Sequence, residues 1–134
     1  MPYEFDWQVR VADSDFSGLV YTPAVLDYSI RAINELMSTF DFAAYQQGEA
    51  ADVIYPTKHA EVEFVEPIGV GDEIVIAVTP ELGETSVTFV AEGWHGDERA
   101  FEATVVMVFV DADTLEPVSI PGGVRTGLEP YTAR

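Results

Sequence analysis

The chain has 134 residues with 24 acidic and 6 basic side chains, a formal net charge of −18 and 48% hydrophobic residues. This length fits one ordinary domain, and the apolar content excludes an intrinsically disordered chain. No stretch reaches the roughly 18 consecutive apolar residues that a membrane-spanning helix needs, and the charged, alternating residues 1–10 do not resemble a signal peptide. We therefore expect a soluble, cytoplasmic protein with no membrane partner.

The residue types exclude several kinds of site. There is no cysteine, so disulfides, thiolate nucleophiles and cysteine-based metal sites are excluded. His59 and His95 are the two histidines, and the acidic residues lack the spacing of an EF-hand. We expect both histidines to be exposed or structural, and we predict no metal and no other cofactor. A phosphate backbone needs a basic face, so nucleic acid is not an expected partner.

The acidic side chains are dispersed along the chain, and Lys58 is the only lysine. Such a surface either recruits a basic partner or is an adaptation to high salt, in which screening weakens the self-repulsion of the net charge. The dispersion of the acids and the near absence of lysine favour the adaptation to salt.

The first third of the chain predicts a strand, a loop and a helix. Apolar and polar residues alternate over residues 3–11, the pattern of a strand with one buried face. A turn-rich loop follows, and Thr22 and Pro23 suit the N-cap and the first position of a helix. Apolar residues at helical spacing extend that helix to about Phe40. Residues 41–52 give only a weak signal, for a helical turn or loop around 42–47.

The rest of the chain is typical of strands joined by turns. Strands are predicted around residues 59–64, 73–79, 85–94 and 99–110, with turns at 80–84 and 95–98. Glycine and proline are frequent near the end, so residues 113–134 are predicted to form an irregular tail. The whole order predicts a single α+β domain over residues 1–134, with a core of about 3–112. In that core an antiparallel five-stranded sheet wraps around one long central helix.

The strongest chemical signal is Asp15, which lies in the loop just ahead of the helix start at Thr22. A helix N-terminus presents free N–H groups and the positive end of the helix dipole, which stabilise negative charge. Acyl transfer needs such donors for its oxyanion, and a carboxylate can attack the carbonyl or activate a water. The alternative is that Asp15 is one more turn aspartate. Asp13 lies two residues away and competes for either role.

Two motifs in the chain resemble those of a known family. The first consists of Asp15, Gly18, the pair Val20 and Tyr21, and then the helix. The second is a proline followed by Gly-Asp within residues 66–73. Together they resemble the hotdog-fold acyl-CoA thioesterases of the 4-hydroxybenzoyl-CoA thioesterase and YbgC-like group. The resemblance covers about residues 3–110 and implies a hotdog fold and hydrolysis of an acyl-CoA thioester to the free acid and CoA.

The resemblance implies roles for individual residues. Asp15 matches the family's catalytic carboxylate, which acts as nucleophile or general base, and the N–H of Thr22 matches the donor that polarises the thioester carbonyl. Tyr21 and Gly18 shape the loop between them. The YbgC-like branch usually has a histidine at the position of Thr22, so a mechanism for this chain has no imidazole at that position.

The resemblance also implies a homodimer or homotetramer with active sites at the subunit interface. Tyr55 and Pro56 of the partner subunit would then face the acyl group. CoA carries phosphates, and the candidate contacts are Lys58, Arg99 and Arg125. Each of these cations is equally suited to a surface ion pair among so many acids. A hydrophobic acyl pocket is predicted from three apolar residues, Leu19, Val25 and Tyr55.

Three alternatives stay open. A hotdog hydratase needs a paired Asp and His on one catalytic element, and no histidine lies near Asp15 in the sequence. A non-catalytic acyl-CoA binding or sensing domain would not need Asp15, because a fold does not dictate a function. An interaction domain would use its acidic surface to recruit a basic partner.

The adaptation to salt makes a first prediction. The melting temperature is expected to be lower in dilute buffer than in molar KCl, because the self-repulsion of a net charge of −18 is unscreened at low ionic strength. Thermal unfolding followed by circular dichroism in the two buffers measures the difference. A melting temperature that does not change between them would contradict the adaptation.

Overall fold

The computed structural model of the chain describes residues 1–40 and 52–133 and is built on one antiparallel sheet. Its strands are β1 (Tyr3–Gln8), β3 (Thr57–Phe64), β4 (Glu73–Leu82), β5 (Ser86–His95) and β6 (Glu98–Val108), in the order β1-β4-β5-β6-β3. Two short strands, β2 (Val53–Ile54) and β7 (Val110–Asp111), form a separate pair. The helical turn predicted around residues 42–47 lies outside the described residues.

One helix, α1 (Thr22–Ser38), covers the inner face of this sheet. It has 17 residues and ends slightly before the predicted Phe40. Its buried side chains are Val25, Ser29, Ala32, Ile33, Leu36 and Met37. They meet a sheet face that includes Ile76, Phe89 and Phe101 in the same apolar core. This arrangement confirms the predicted hotdog fold. Within the described ranges, no helix is long and apolar enough to cross a membrane.

β4 is longer than predicted, because residues 80–82 continue the strand instead of forming a turn. Proline cannot donate a ladder hydrogen bond and is therefore usually excluded from central strands. The pairing of β1 with β4 ends where Tyr3 lies opposite Val78, so β1 does not reach Pro80. On its other side Pro80 pairs with Phe89 of β5. The proline is tolerated because the neighbouring strand stops short of it.

The C-terminal tail is not irregular as predicted, because α2 (Gly122–Leu128) and a 3-10 turn (Glu129–Tyr131) form within it. Glycine is a poor helix former, so local propensity does not favour α2. The helix instead buries Val124 and Leu128 completely in the core. Gly127 permits a close approach, since a Cβ there would lie 2.4 Å from the ring of Phe40. Tertiary packing therefore decides the structure of this segment.

A second prediction concerns Gly93 of β5, which lies opposite Phe101 of β6. A Cβ at residue 93 would lie 2.0 Å from the ring of Phe101, which is fully buried and has little room to move. Gly93→Ala is therefore expected to lower the free energy of unfolding by about 1–3 kcal/mol, the usual cost of overpacking a core. Urea unfolding in molar KCl measures this loss.

Phe101→Leu is the matched second variant, because the smaller side chain leaves room for a methyl group at residue 93. The double variant is expected to lose less stability than the two single variants together, since the clash is relieved. Strict additivity would show that the ring does not occupy the space above Gly93.

Candidate active site

A tight hairpin loop connects the end of β1 to the start of α1. The chain passes through a 3-10 turn (Val11–Asp13), and Ser14 then pairs antiparallel with Val20. Inside this pair the N–H of Asp15 donates to the Leu19 carbonyl at 3.0 Å, and Gly18 turns the chain with a φ of +84°. Only glycine adopts that conformation readily, which explains the glycine of the first motif. The loop therefore carries Asp15 on one arm and leads directly to the helix on the other.

The second motif packs against this loop. The N–H of Val20 donates to the Ile68 carbonyl at 2.8 Å, and the N–H of Val70 donates to the Gly18 carbonyl at 3.1 Å. Asp72 closes the turn that carries Ile68 and Val70, because its carboxylate accepts the N–H of Gly69 at 2.9 Å. Two motifs that are distant in the sequence therefore form one structural unit.

The carboxylate of Asp15 is exposed at the start of the hairpin. It accepts hydrogen bonds from the hydroxyl of Ser17 and from the N–H of Ser17, the latter at 2.8 Å. The Ser17 hydroxyl, followed by this N–H, lowers the pKa of Asp15 below its ordinary value. Asp15 is therefore ionised at neutral pH and has an open side that a substrate or a water can approach.

The competing carboxylate, Asp13, is buried at 8% exposure. One of its oxygens accepts the indole N–H of Trp7 at 3.2 Å and the N–H of Arg10 at 2.9 Å. Burial by itself would raise the pKa of Asp13, but hydrogen bonds from Arg10, Trp7 and Tyr28 outweigh it and lower that pKa. The Asp13 carboxylate therefore binds donors within its own chain, and Asp15 is the accessible one of the two aspartates.

The start of α1 differs by one residue from the prediction. Tyr21, with an extended backbone, is the N-cap, so Thr22 is the first helical residue and Pro23 the second. The N–H of Tyr21 donates to the Asp13 carbonyl at 2.7 Å, and proline has no N–H. Within residues 1–40 and 52–133, no hydrogen bond occupies the N–H of Thr22. The first turn of α1 therefore presents the Thr22 N–H as an available donor.

A cleft of about 340 Å³ opens beside this donor. One wall is formed by Leu19, Val20 and Thr22, and the other by residues 64–68 at the end of β3. Leu19, Phe64 and Val65 are each about half exposed, so the walls are apolar and accessible. Sequence reasoning named Leu19 for the pocket but missed residues 64–68. The available signal was the apolar pair Phe64 and Val65 directly before a proline turn.

Three predicted binding residues do not reach this cleft within one chain. Tyr55, Pro56 and Lys58 lie at the start of β3, whereas the cleft lies at its end, about 23 Å away at the rise of a strand. Tyr55 packs on Phe109 with ring centroids 5.6 Å apart, and burial raises its pKa. Val25, also predicted for the pocket, is fully buried in the core instead.

The predicted phosphate contacts differ in their surroundings. Lys58 is an exposed residue at an irregularity in the register of β3, and it forms no ion pair within the described ranges. Arg99 Nη1 lies 3.4 Å from Glu92 and 3.3 Å from Glu102. Arg125 donates to the Gly83 carbonyl. The two arginines are therefore engaged with their own chain, and Lys58 is available.

Neither histidine is among the residues that line the cleft. His59 Nε2 lies 3.6 Å from Glu61, and His95 Nε2 lies 3.9 Å from Asp72, with both imidazoles about half exposed. In the parts of the chain that the structure describes, no group of three His, Asp or Glu side chains is arranged to hold a metal ion. Of the two predicted catalytic residues, Thr22 lines the cleft, whereas Asp15 lies on the other arm of the same loop and is not among the lining residues.

Comparison with known proteins finds similarity over most of the chain. The sequence profile of the Thioesterase-like superfamily matches residues 9–128. A 1,4-dihydroxy-2-naphthoyl-CoA hydrolase of Nostoc punctiforme is 25% identical over 130 residues, which cover 96% of this chain and 88% of the relative.

Two solved structures share the fold. A 1,4-dihydroxy-2-naphthoyl-CoA thioesterase from Synechocystis superposes with a TM-score of 0.85 at 19% identity, covering 96% of each chain. The dynemicin thioesterase superposes with a TM-score of 0.88 at 14% identity, covering 100% of this chain and 99% of the other. The motifs, the hotdog fold and the profile match over most of the chain agree: this protein belongs to the Thioesterase-like superfamily.

Proposed function

We propose that the protein hydrolyses acyl-CoA thioesters, with the Asp15 carboxylate and the Thr22 N–H acting on the thioester carbonyl. One observation carries this proposal: an exposed, ionised carboxylate and a helix-end donor, which has no partner among the described residues, lie on the two arms of one loop, and the arm with the donor lines an apolar cleft. The names of the curated relatives, which are CoA thioester hydrolases, support the same reaction.

The chemistry follows from the two groups. The carbonyl oxygen accepts the N–H of Thr22 at the positive end of α1, and the negative charge that develops on it during attack is stabilised there. Asp15 either attacks the carbonyl carbon, which releases the CoA thiolate and leaves an anhydride for water to hydrolyse, or removes a proton from an attacking water. Both routes yield the free acid and CoA, and neither needs an imidazole.

The lining residues and the volume of the cleft indicate the size and polarity of the acyl group that fits there. Leu19 and Phe64 both line a space at the lower end of the usual range for small-ligand pockets. The curated relatives are named for an aromatic acyl group, 1,4-dihydroxy-2-naphthoyl. We therefore propose a compact apolar acyl group, with an aromatic ring preferred to a long flexible chain.

The exposed edge of β3 supports a dimer. Every residue of β3 except Val62 is exposed, and β3 is an edge strand of the sheet that the described residues form. An edge strand presents backbone groups to which another strand can pair. If β3 pairs antiparallel with the same strand of a second copy, the start of one strand lies beside the end of the other. Tyr55, Pro56 and Lys58 of the partner subunit then reach the cleft beside Phe64. In this dimer, Lys58 of the partner subunit is the candidate contact for the CoA phosphates.

A third prediction tests the carboxylate. Asp15→Asn and Asp15→Ala are each expected to lower kcat with a benzoyl- or naphthoyl-CoA substrate by about 100-fold or more, because the nucleophile or base is lost. Release of CoA in molar KCl, followed with a thiol reagent, measures turnover.

Asp97→Asn is the matched control, since it removes an exposed carboxylate from the turn between β5 and β6, outside the lining of the cleft. Its kcat is expected to equal that of the wild type. Equal turnover by the wild type and both Asp15 variants would contradict the proposed mechanism. Binding of acyl-CoA by the wild type without turnover would instead favour the binding or sensing domain.

A fourth prediction tests the shared site. Asp15→Asn and Tyr55→Ala chains carrying different affinity tags are co-expressed, and the heterodimer is isolated through both tags. Each heterodimer then contains one site with intact Asp15 and Tyr55, so about half of the wild-type activity per dimer is expected. A heterodimer no more active than its two parent homodimers, or a monomer by light scattering, would exclude a site shared between subunits.

A further inference from the structure

We propose that Asp13 is a positioning residue, which sets the placement of the Asp15 carboxylate relative to the Thr22 N–H. This inference rests on the proposed function, because it assigns a task to a residue that touches no substrate. It is drawn from the contacts of Asp13 itself, which join three parts of the fold at one carboxylate.

The side chain of Asp13 ties the loop to both the sheet and the helix. The indole N–H of Trp7 reaches it from β1 at 3.2 Å, and the hydroxyl of Tyr28 reaches it from α1. The N–H of Arg10, between β1 and the loop, adds a third hydrogen bond at 2.9 Å. Trp7 and Tyr28 also stack on each other with ring centroids 4.3 Å apart, which holds the two donors in place.

The backbone of Asp13 ties the same point to the catalytic groups. Its carbonyl accepts the N–H of Tyr21 at 2.7 Å, and Tyr21 directly precedes the donor residue Thr22. Asp15 lies two residues after Asp13, on the hairpin arm opposite to that of Tyr21. A shift of Asp13 therefore moves both arms of the loop, and with them both groups that would act on the thioester.

A carboxylate is costly at a buried position without a charged partner in contact, so its presence at this position calls for a physical reason. Arg31 does not supply a direct ion pair to Asp13: it pairs with Asp27 at 3.1 Å, and its guanidinium lies 4.7 Å from the ring centroid of Tyr28. The two oxygens of a carboxylate can accept donors from three directions at once, which an apolar side chain cannot do. This capacity fits a junction that fixes a strand, a helix and a loop.

The experiment removes one donor at a time. Trp7→Phe retains an aromatic ring but loses the indole N–H, and Tyr28→Phe loses only the hydroxyl. Each is expected to lower kcat by about 10-fold or more while KM changes little, since small misplacements of reacting groups have large effects on rate. Asp13→Ala is expected to lower kcat further than either donor variant. Asp13→Asn keeps one acceptor oxygen, so its kcat is expected to lie between those of Asp13→Ala and the wild type.

Leu128→Ala is the matched control for a loss of stability alone. Leu128 is fully buried in α2 and does not line the cleft, so this variant is expected to unfold more easily but retain its kcat. Unfolding in urea is measured for every variant, and kcat is compared under conditions in which each is folded. If kcat in the Asp13, Trp7 and Tyr28 variants stays at the wild-type value, Asp13 serves only stability and the positioning role is excluded.

A second measurement does not depend on turnover. In ¹H–¹⁵N spectra of folded Tyr28→Phe, the amide signals of Asp15 and Thr22 are expected to shift or broaden, while those of β5 stay in place. Unchanged loop signals would overturn the positioning role even if the proposed reaction were wrong. Conversely, unchanged turnover in Asp15→Asn would remove the proposed function whatever the loop signals show.

Discussion

Backbone contacts between residues 18–20 and residues 68–70 hold the candidate active site together. Val20 donates to the Ile68 carbonyl, Val70 donates to the Gly18 carbonyl, and Leu19 pairs with Gly69 between them. A Cβ at Gly69 would lie 3.4 Å from the Gly18 carbonyl oxygen, within ordinary van der Waals contact, so the two segments lie directly against each other. Because this contact joins the loop before α1 to the turn before β4, it forms the cleft as well as supporting Asp15.

The outer face of the sheet carries a concentration of negative charge that the inner face does not share. Glu63 lies opposite Glu102, and Glu102 lies opposite Glu92, so three carboxylates follow one another across β3, β6 and β5. Like charges that face each other on a sheet repel, and Arg99 is in contact with only two of the three. Dissolved salt would screen the remaining repulsion among these three carboxylates, which are a local part of the dispersed net charge of −18.

Local sequence patterns predicted most elements, and the errors share one cause. The strands and α1 follow from alternation and helical spacing, which depend on neighbouring residues alone. The local pattern predicts a turn at Pro80, whereas the structure includes Pro80 in β4. The strand tolerates this proline because β1 ends before it reaches Pro80. Helix α2 was missed because its glycines disfavour a helix, and burial of Leu128 outweighs them. In each case a residue distant in the sequence decides the local conformation.

The sequence by itself determined the fold class, the order of the elements and the spacing between Asp15 and the start of α1, because periodicity and turn chemistry are local properties. Only the tertiary structure decided which aspartate is accessible. The donors that occupy Asp13 come from Trp7 on β1 and Tyr28 on α1, and the second wall of the cleft comes from residues 64–68. These groups meet only when the sheet packs around the helix. Local sequence patterns do not predict such contacts, because the contacts join segments that are distant in the sequence.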